Sequence, residues 1–152
     1  MKEDSLQCAV VFLQTLVGQP LRYGLKSPDT ELYDFGFGEL FEDVSKYGKK
    51  RKICTFILHA LCNFKVIWRS GERRIDKYYG DTPSEKFHGE SKRLIGSCVK
   101  RGALSEENDL WLDLGDFWIV FETFEDGKES WRFFTSDINQ AHLVASNSWI
   151  KF

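Results

Sequence analysis

The chain has 152 residues, 42% of them hydrophobic and 29% charged, in the range of soluble globular proteins. That length suits one ordinary domain with a real core, and no apolar run approaches the roughly 18–20 residues of a membrane-spanning helix. The formal net charge of −2 conceals a polarity: residues 1–102 carry 18 Lys/Arg against 13 Asp/Glu, whereas residues 103–152 carry 3 against 10.

Along the chain, residues 5–16 predict a helix. Leu6, Ala9, Val10, Leu13 and Leu16 fall at helical spacing, and Gly18-Gln19-Pro20 stops it. Leu21, Tyr23 and Leu25 alternate as a strand, Ser27-Pro28-Asp29 turns, and Tyr33, Phe35 and Phe37 mark a second strand. In residues 39–52, Leu40, Phe41, Val44 and Tyr47 suggest one face of a short helix, ended by Gly48 and followed by Lys49-Lys50-Arg51-Lys52. The basic run reads as phosphate-binding or as a solvated loop. Strands are expected at 53–62 and 64–68, then a turn at Ser70-Gly71 into residues 72–79. Thr82-Pro83-Ser84-Glu85 has the spacing of a capping box and predicts a helix to about residue 93, weakened by Gly89. Strands follow at 99–104 and 109–114. Residues 117–124 and 129–134, joined by Glu125-Asp126-Gly127-Lys128, predict a tight hairpin because Asp-Gly suits a primed turn. Residues 142–145 and 149–152 close the chain as short strands.

One stretch occurs twice. Leu16-Val17-Gly18 through Glu31-Leu32 returns, 78 residues on, as Leu94-Ile95-Gly96 through Asp109-Leu110, with Leu, Gly, Gly, Ser and Leu identical. Asp34-Phe35-Gly36 is echoed by Asp113-Leu114-Gly115 at an offset of 79, and Asn63-Phe64-Lys65-Val66 by Ser130-Trp131-Arg132-Phe133. The one-residue slip requires a bulge or a changed loop, since it would otherwise turn core side chains outward. Gly18 and Gly96 are expected in backbone conformations closed to other residues, or where a side chain would collide. The pattern implies one α+β domain over residues 1–152, mostly antiparallel sheet with a few short helices. Its related helix–hairpin–hairpin halves span about 5–80 and 82–152, and 39–52 is an insertion in the first.

Residues with chemistry in them are few. Cys8, Cys54, Cys62 and Cys98 are scattered without a Cys-x-x-Cys pair, which suits reduced, partly buried thiols; a zinc site from Cys54, His59 and Cys62 lacks a close second ligand pair. The Met1-Lys2-Glu3-Asp4 start lacks a signal-peptide layout, so a cytoplasmic setting is expected. His59 lies in an apolar strand and reads as packed. His88 is too near Glu90 in sequence to imply an acid–base pair. Nucleophile elbow, Walker loop, zinc-protease helix and dinucleotide fingerprint are all missing, so no catalytic residue, metal or cofactor is assigned.

The pattern that stands out is acidic. Glu106, Glu107, Asp109, Asp113, Asp116, Glu122, Glu125, Asp126 and Glu129 crowd residues 106–129 against Lys128 alone, with Trp111 and Trp118 interleaved. Aromatics ringed by charge are the material of protein-binding hot spots. The candidate partner-binding residues are therefore Glu106, Glu107, Asp109, Trp111, Asp116, Trp118, Glu122, Glu125 and Asp126. A solvated sheet face around core tryptophans is the plainer alternative.

The Leu94-x-Gly96-x-x-Val99, Ser105-x-x-x-x-Leu110, Asp113-Leu114-Gly115 and Ser130-Trp131-Arg132-Phe133 elements, followed by His142-Leu143-Val144, resemble a group of small bacterial proteins. Members of that group sit beside polymorphic or contact-dependent toxins and are taken as immunity proteins. The resemblance covers residues 16–38 and 94–150 and implies a cytoplasmic, non-enzymatic inhibitor of a cognate toxin domain, possibly a nuclease. It implies no direct nucleic-acid or membrane binding, and no functional residue carries over. Two other readings stay open: a small-ligand or nucleotide-binding module using the aromatic sheet, and an enzyme with an unfamiliar site.

Overall fold

The computed structural model describes residues 2–45, 47–69, 74–137 and 140–152. The turn expected at Ser70-Gly71 lies outside them. Helix α1 (Lys2–Thr15) leads into strands β1 (Leu21–Lys26), β2 (Tyr33–Val44), β3 (Lys50–Ala60), β4 (Phe64–Trp68) and β5 (Ile75–Tyr78). Helix α2 (Ser84–Ser91) leads into β6 (Arg101–Leu104), β7 (Leu110–Asp113), β8 (Phe117–Phe121), β9 (Trp131–Thr135), β10 (Leu143–Ala145) and β11 (Ile150–Lys151). The α+β class and the mostly antiparallel pairing follow the sequence.

After each helix comes a glycine with positive φ, Gly18 at 89° and Gly96 at 93°, a region where a Cβ is strained even though nothing crowds either site. Those two stretches pair with each other. Gly18 N–H donates to the Val99 carbonyl (2.7 Å) and Gly96 N–H to that of Leu21 (2.8 Å). Leu21 N–H donates to Ser97 and Val99 N–H to Gln19, both at 2.9 Å, around a bridge between Pro20 and Cys98. The repeated sequence thus supplies both partners of one reciprocal contact.

The strands form two sheets, ordered β1-β2-β3-β9-β10-β11 and β5-β4-β8-β7-β6. Their alternating side chains explain the meeting face: Tyr33, Phe35 and Phe37 of β2 and Phe117, Ile119 and Phe121 of β8 are all buried. Phe35 packs against Phe64 and Phe121 of the opposite sheet, both at 5.4 Å between ring centroids. Phe87 of α2 reaches in from one side onto Tyr33, Phe35, Phe64 and Tyr78. On the other side Phe12 of α1 meets Phe56 and Phe133. Buried hydrophobic side chains from both sheets and both helices form one cluster, which leaves out Cys54, Ile57 and Val120.

Four expectations are corrected. Residues 39–52 are not a helix: β2 and β3 run on as a hairpin, with Leu40 paired to Cys54 and Val44 to Lys50 after a register shift between Phe37 and Leu40. The helical spacing of Leu40, Phe41, Val44 and Tyr47 is coincidental, since all four are exposed. Residues 117–124 and 129–134 do not pair. The strand β8 lies between β4 and β7, while β9 lies between β3 and β10 in the other sheet, so the Asp126-Gly127 turn crosses the sandwich. Each helix is therefore followed by a three-strand meander, not by two hairpins; the hairpin β4–β5 then closes the first half, and the three strands β9, β10 and β11 close the second.

The capping box does not close: Pro83 precedes α2 without a side-chain cap, and the helix ends at Ser91. Thr82 Oγ1 instead accepts the Tyr79 N–H at 2.9 Å. Ladder positions in β2 and β7 are alike at a spacing of 77, where the sequence echo has 79. Phe35 lies opposite Gly24 and Leu58, as Leu112 lies opposite Gly102 and Ile119. The positive-φ glycines Gly38 (91°) and Gly115 (90°) match at the same offset.

Candidate functional site

Strand alternation leaves one face of each sheet outside the core, and the two outer faces differ. On the five-stranded sheet, Trp111 of β7 and Trp118 of β8 point outward and meet edge to face, 5.8 Å between centroids. The Arg69 guanidinium lies 4.8 Å over Trp118 and pairs with Asp113 at 2.9 Å. Val120 and Ile67, the outward neighbours of these rings in the ladder, complete an apolar strip, and Val120 is fully covered. Both tryptophans are half-buried, whereas Trp131 is in the core with its indole N–H on the Asn108 carbonyl.

The acidic residues do not form one face around that pair. Glu106 and Glu107 lie in the β6–β7 turn and Glu122, Glu125 and Asp126 after β8, all at one end of the sheet and exposed. Asp116 sits in the β7–β8 turn at the opposite end. Asp109 turns to the chain itself, accepting the Thr123 N–H (2.8 Å) and hydroxyl (2.9 Å). The apparent absence of counter-charge is also local to the sequence. Lys65 reaches Glu122 at 3.8 Å, Arg69 holds Asp113, and Arg132 holds Glu129 at 2.6 Å; Lys128 reaches Asp126 at 3.5 Å. Strand β4 and the residue after it bring in Lys65 and Arg69, whereas Lys128 and Arg132 pair with carboxylates two and three residues away.

The six-stranded sheet carries a constellation that sequence reasoning missed. Tyr23 of β1, Asp34 of β2 and His59 of β3 converge on its outer face. The Tyr23 hydroxyl donates to Asp34 Oδ1 at 3.3 Å, and His59 Nε2 lies 3.5 Å from the same oxygen. Gly36 makes the arrangement possible, because a Cβ there would overlap the Tyr23 ring. His59 stands edge-on to Phe134 (5.0 Å), whose ring stacks on His142 at 4.6 Å and 19°. Arg132 Nη1 lies 3.1 Å from His142 Nδ1. Tyr23, Asp34, His59 and Phe134, with the base of the long hairpin, enclose a concavity of about 370 Å³, lined also by Leu25, Arg51, Lys52, Ile53 and Ile57. Here His59 belongs to a polar outer face, not to the packed interior that its apolar strand implied. The hint in the sequence was Asp34 and His59 at the outward positions of aromatic strands, but only the ladder register brings them opposite.

Burial, then the Asp34 charge, pushes the Tyr23 phenol well above its usual range, so it stays a donor. Burial likewise raises the nearby Cys54 thiol to about 11. Among the described residues no cluster of three or more His, Cys, Asp and Glu side chains could hold a metal ion. Cys54 and Cys62 are buried free thiols, Cys98 is half-buried and Cys8 exposed. His88, the remaining histidine, accepts the Lys26 backbone N–H at 3.0 Å and ties α2 to the edge strand β1. No helix among the described residues is long and apolar enough to cross a membrane.

No family model, curated protein or solved structure matches the chain.

Proposed function

We propose that this is a non-enzymatic, protein-binding protein of the immunity type, which neutralises a cognate toxin domain in the cytoplasm, possibly a nuclease. The observation that carries the reading is the Trp111–Trp118 pair, half-exposed on the outer face of a sheet beside the Arg69–Asp113 ion pair. Large rigid aromatics beside partly desolvated charge supply most of the energy in protein interfaces. Glu106, Glu107, Glu122, Glu125 and Asp126 form an acidic rim at one end of that face, suited to steering a basic partner. Asp109 drops out of the rim because its carboxylate is spent on Thr123, and Asp116 because it lies at the far end.

The same reading takes the chain as one domain made of two copies of a helix–meander unit. Its support is the reciprocal Gly18/Gly96 contact, the paired glycines of matching φ, and the matching order of strands in the two sheets.

The test is titration calorimetry with the toxin domain encoded beside the gene, at two salt concentrations, together with a growth-protection assay. Trp118→Ala should weaken binding by about 2 kcal/mol or more, mostly through faster dissociation. Charge reversal at Glu122, Glu125 and Asp126 should slow association, most at low salt. A toxin domain that fails to bind at either salt refutes the immunity reading for that pair. Tight binding indifferent to both sets of variants moves the interface away from this face.

A further inference from the structure

The two sheets offer the same ladder positions with different side chains, and the difference makes a cavity. Asp34 lies opposite Leu25 and His59, as Trp111 lies opposite Ala103 and Val120. Ile57 lies opposite Gly36 and Phe134, as Trp118 lies opposite Asp113 and Ile67. Where one sheet fills its outer face with two indoles, the other has a carboxylate and an isoleucine, and a hollow of about 370 Å³ results. Such a volume falls within the range of small-molecule sites.

The walls define what fits. Asp34 as a carboxylate only accepts hydrogen bonds; the Tyr23 hydroxyl takes one site on Oδ1 and His59 stands 3.5 Å from that oxygen, which leaves Oδ2 and the second site of Oδ1 to a ligand. A ligand meeting Asp34 must bring donors, best a pair side by side. Phe134 lines the hollow with an apolar ring, set nearly perpendicular to His59 at 5.0 Å and stacked on His142 at 4.6 Å. At the hairpin side Lys52 and Arg51, the latter steadied by Asp43 at 3.0 Å, present positive charge. A donor edge, a planar ring and an anion together describe a nucleotide. Among the bases only guanine presents two adjacent N–H donors, N1–H and the 2-amino group. Adenine and cytosine place an acceptor beside the amino group, and uracil flanks its N–H with carbonyls.

We propose that the outer face of the six-stranded sheet binds a guanine mononucleotide, with the base on Phe134, its donor edge on Asp34, and the phosphate toward Arg51 and Lys52. This site is separate from the tryptophan face, so its failure and that of the toxin-binding reading are read on different residues.

Titration calorimetry on the full chain would use GMP, AMP, guanosine and inorganic phosphate as probes. GMP is expected to bind saturably, and AMP and guanosine about 10-fold or more weakly, as loss of a charged hydrogen bond requires. Asp34→Asn should weaken GMP by about 10-fold or more, and the Arg51→Ala/Lys52→Ala double variant should bring GMP down to guanosine. Ile57→Trp, which fills the hollow as Trp118 fills its counterpart, should abolish binding. Trp118→Ala should leave it unchanged. Circular dichroism establishes that each variant is folded, and if Asp34→Asn is not, Ile57→Trp carries the test. Absence of saturable GMP binding, equal affinity for AMP, or GMP binding undiminished in a folded Asp34→Asn or Ile57→Trp variant overturns the assignment.

Discussion

Phe64→Ala is the sharpest test of how the two sheets are held together. The ring is 1% exposed and touches five other aromatic rings: Tyr33 at 4.6 Å, Tyr78 at 5.0 Å, Phe121 at 5.3 Å, Phe35 at 5.4 Å and Phe87 at 5.7 Å. Those five come from both sheets and from α2, so no single element can shift to close the gap. Truncating a buried Phe to Ala costs about 3–5 kcal/mol, and the upper half of that range applies where relaxation is blocked. At about 2–4 °C per kcal/mol for a domain of this size, Tm should fall by roughly 8–20 °C. Urea unfolding followed by circular dichroism measures the same loss as a lower midpoint at unchanged slope. The control is Trp118→Ala, a larger side chain but half-exposed outside the core, which should cost about 1 kcal/mol or less. Equal losses for the two variants, or a loss below about 1 kcal/mol for Phe64→Ala, would refute the placement of Phe64 at the centre of the sandwich.

Further outcomes follow from single sites. Gly18→Ala and Gly96→Ala should each cost about 1–2 kcal/mol of unfolding free energy from backbone strain alone, because neither Cβ meets a neighbour. A thiol reagent should modify exposed Cys8 at once in the native protein but spare Cys62, whose thiol burial pushes up to about 12; all four should react after denaturation. Asp109→Ala should destabilise by about 1–3 kcal/mol by orphaning the Thr123 N–H, while leaving the rate of partner association unchanged in stopped-flow mixing. Desolvation, reinforced by Arg132 and His59, lowers the pKa of His142, so its NMR titration midpoint should lie below 6.5. The folded state then binds fewer protons than the unfolded one, and this contribution to stability is full above pH 6.5 and declines as pH falls toward the folded midpoint.

Much of the fold could be read where a local signal and a long-range one agree. Leu6, Ala9, Val10, Leu13 and Leu16 point to α1; Ala9 and Leu13 within it and Leu16 just after it are buried, while Leu6 and Val10 are exposed. Alternation in Tyr33-Asp34-Phe35 and Phe117-Trp118-Ile119 fixes which side chains face in. What was illegible is which strand lies beside which. Asp126-Gly127 is a turn signal, but turn chemistry reports only a change of direction, and β8 and β9 leave it for different sheets. The hairpin at 39–52 was masked because its exposed Leu40, Phe41, Val44 and Tyr47 obey no core periodicity. Trp111 and Trp118 were legible as a pair because a short connection joins their strands. Tyr23, Asp34 and His59 were not, because their meeting depends on register across three strands, with an irregularity between Leu21 and Tyr23.

The crossing of strands between sheets bears on how the chain is made. Phe56–Ala60 of β3 must pair with Trp131–Thr135, and Phe64–Trp68 of β4 with Phe117–Phe121. When β3 and β4 emerge from the ribosome, neither partner has been synthesised, and both apolar strands wait with a bare edge. Sheets built on such distant pairings close late and slowly. The part before α2 cannot finish either sheet alone, and neither can the part after it. Chains severed at the exposed Asp81 should therefore refold only as a complex of the two fragments. Two intact chains could satisfy the same ladders by trading their β4–β5 hairpins, a domain-swapped dimer that needs no contact absent from the monomer. Refolding at rising protein concentration, followed by size-exclusion chromatography, tests for that exchanged pair.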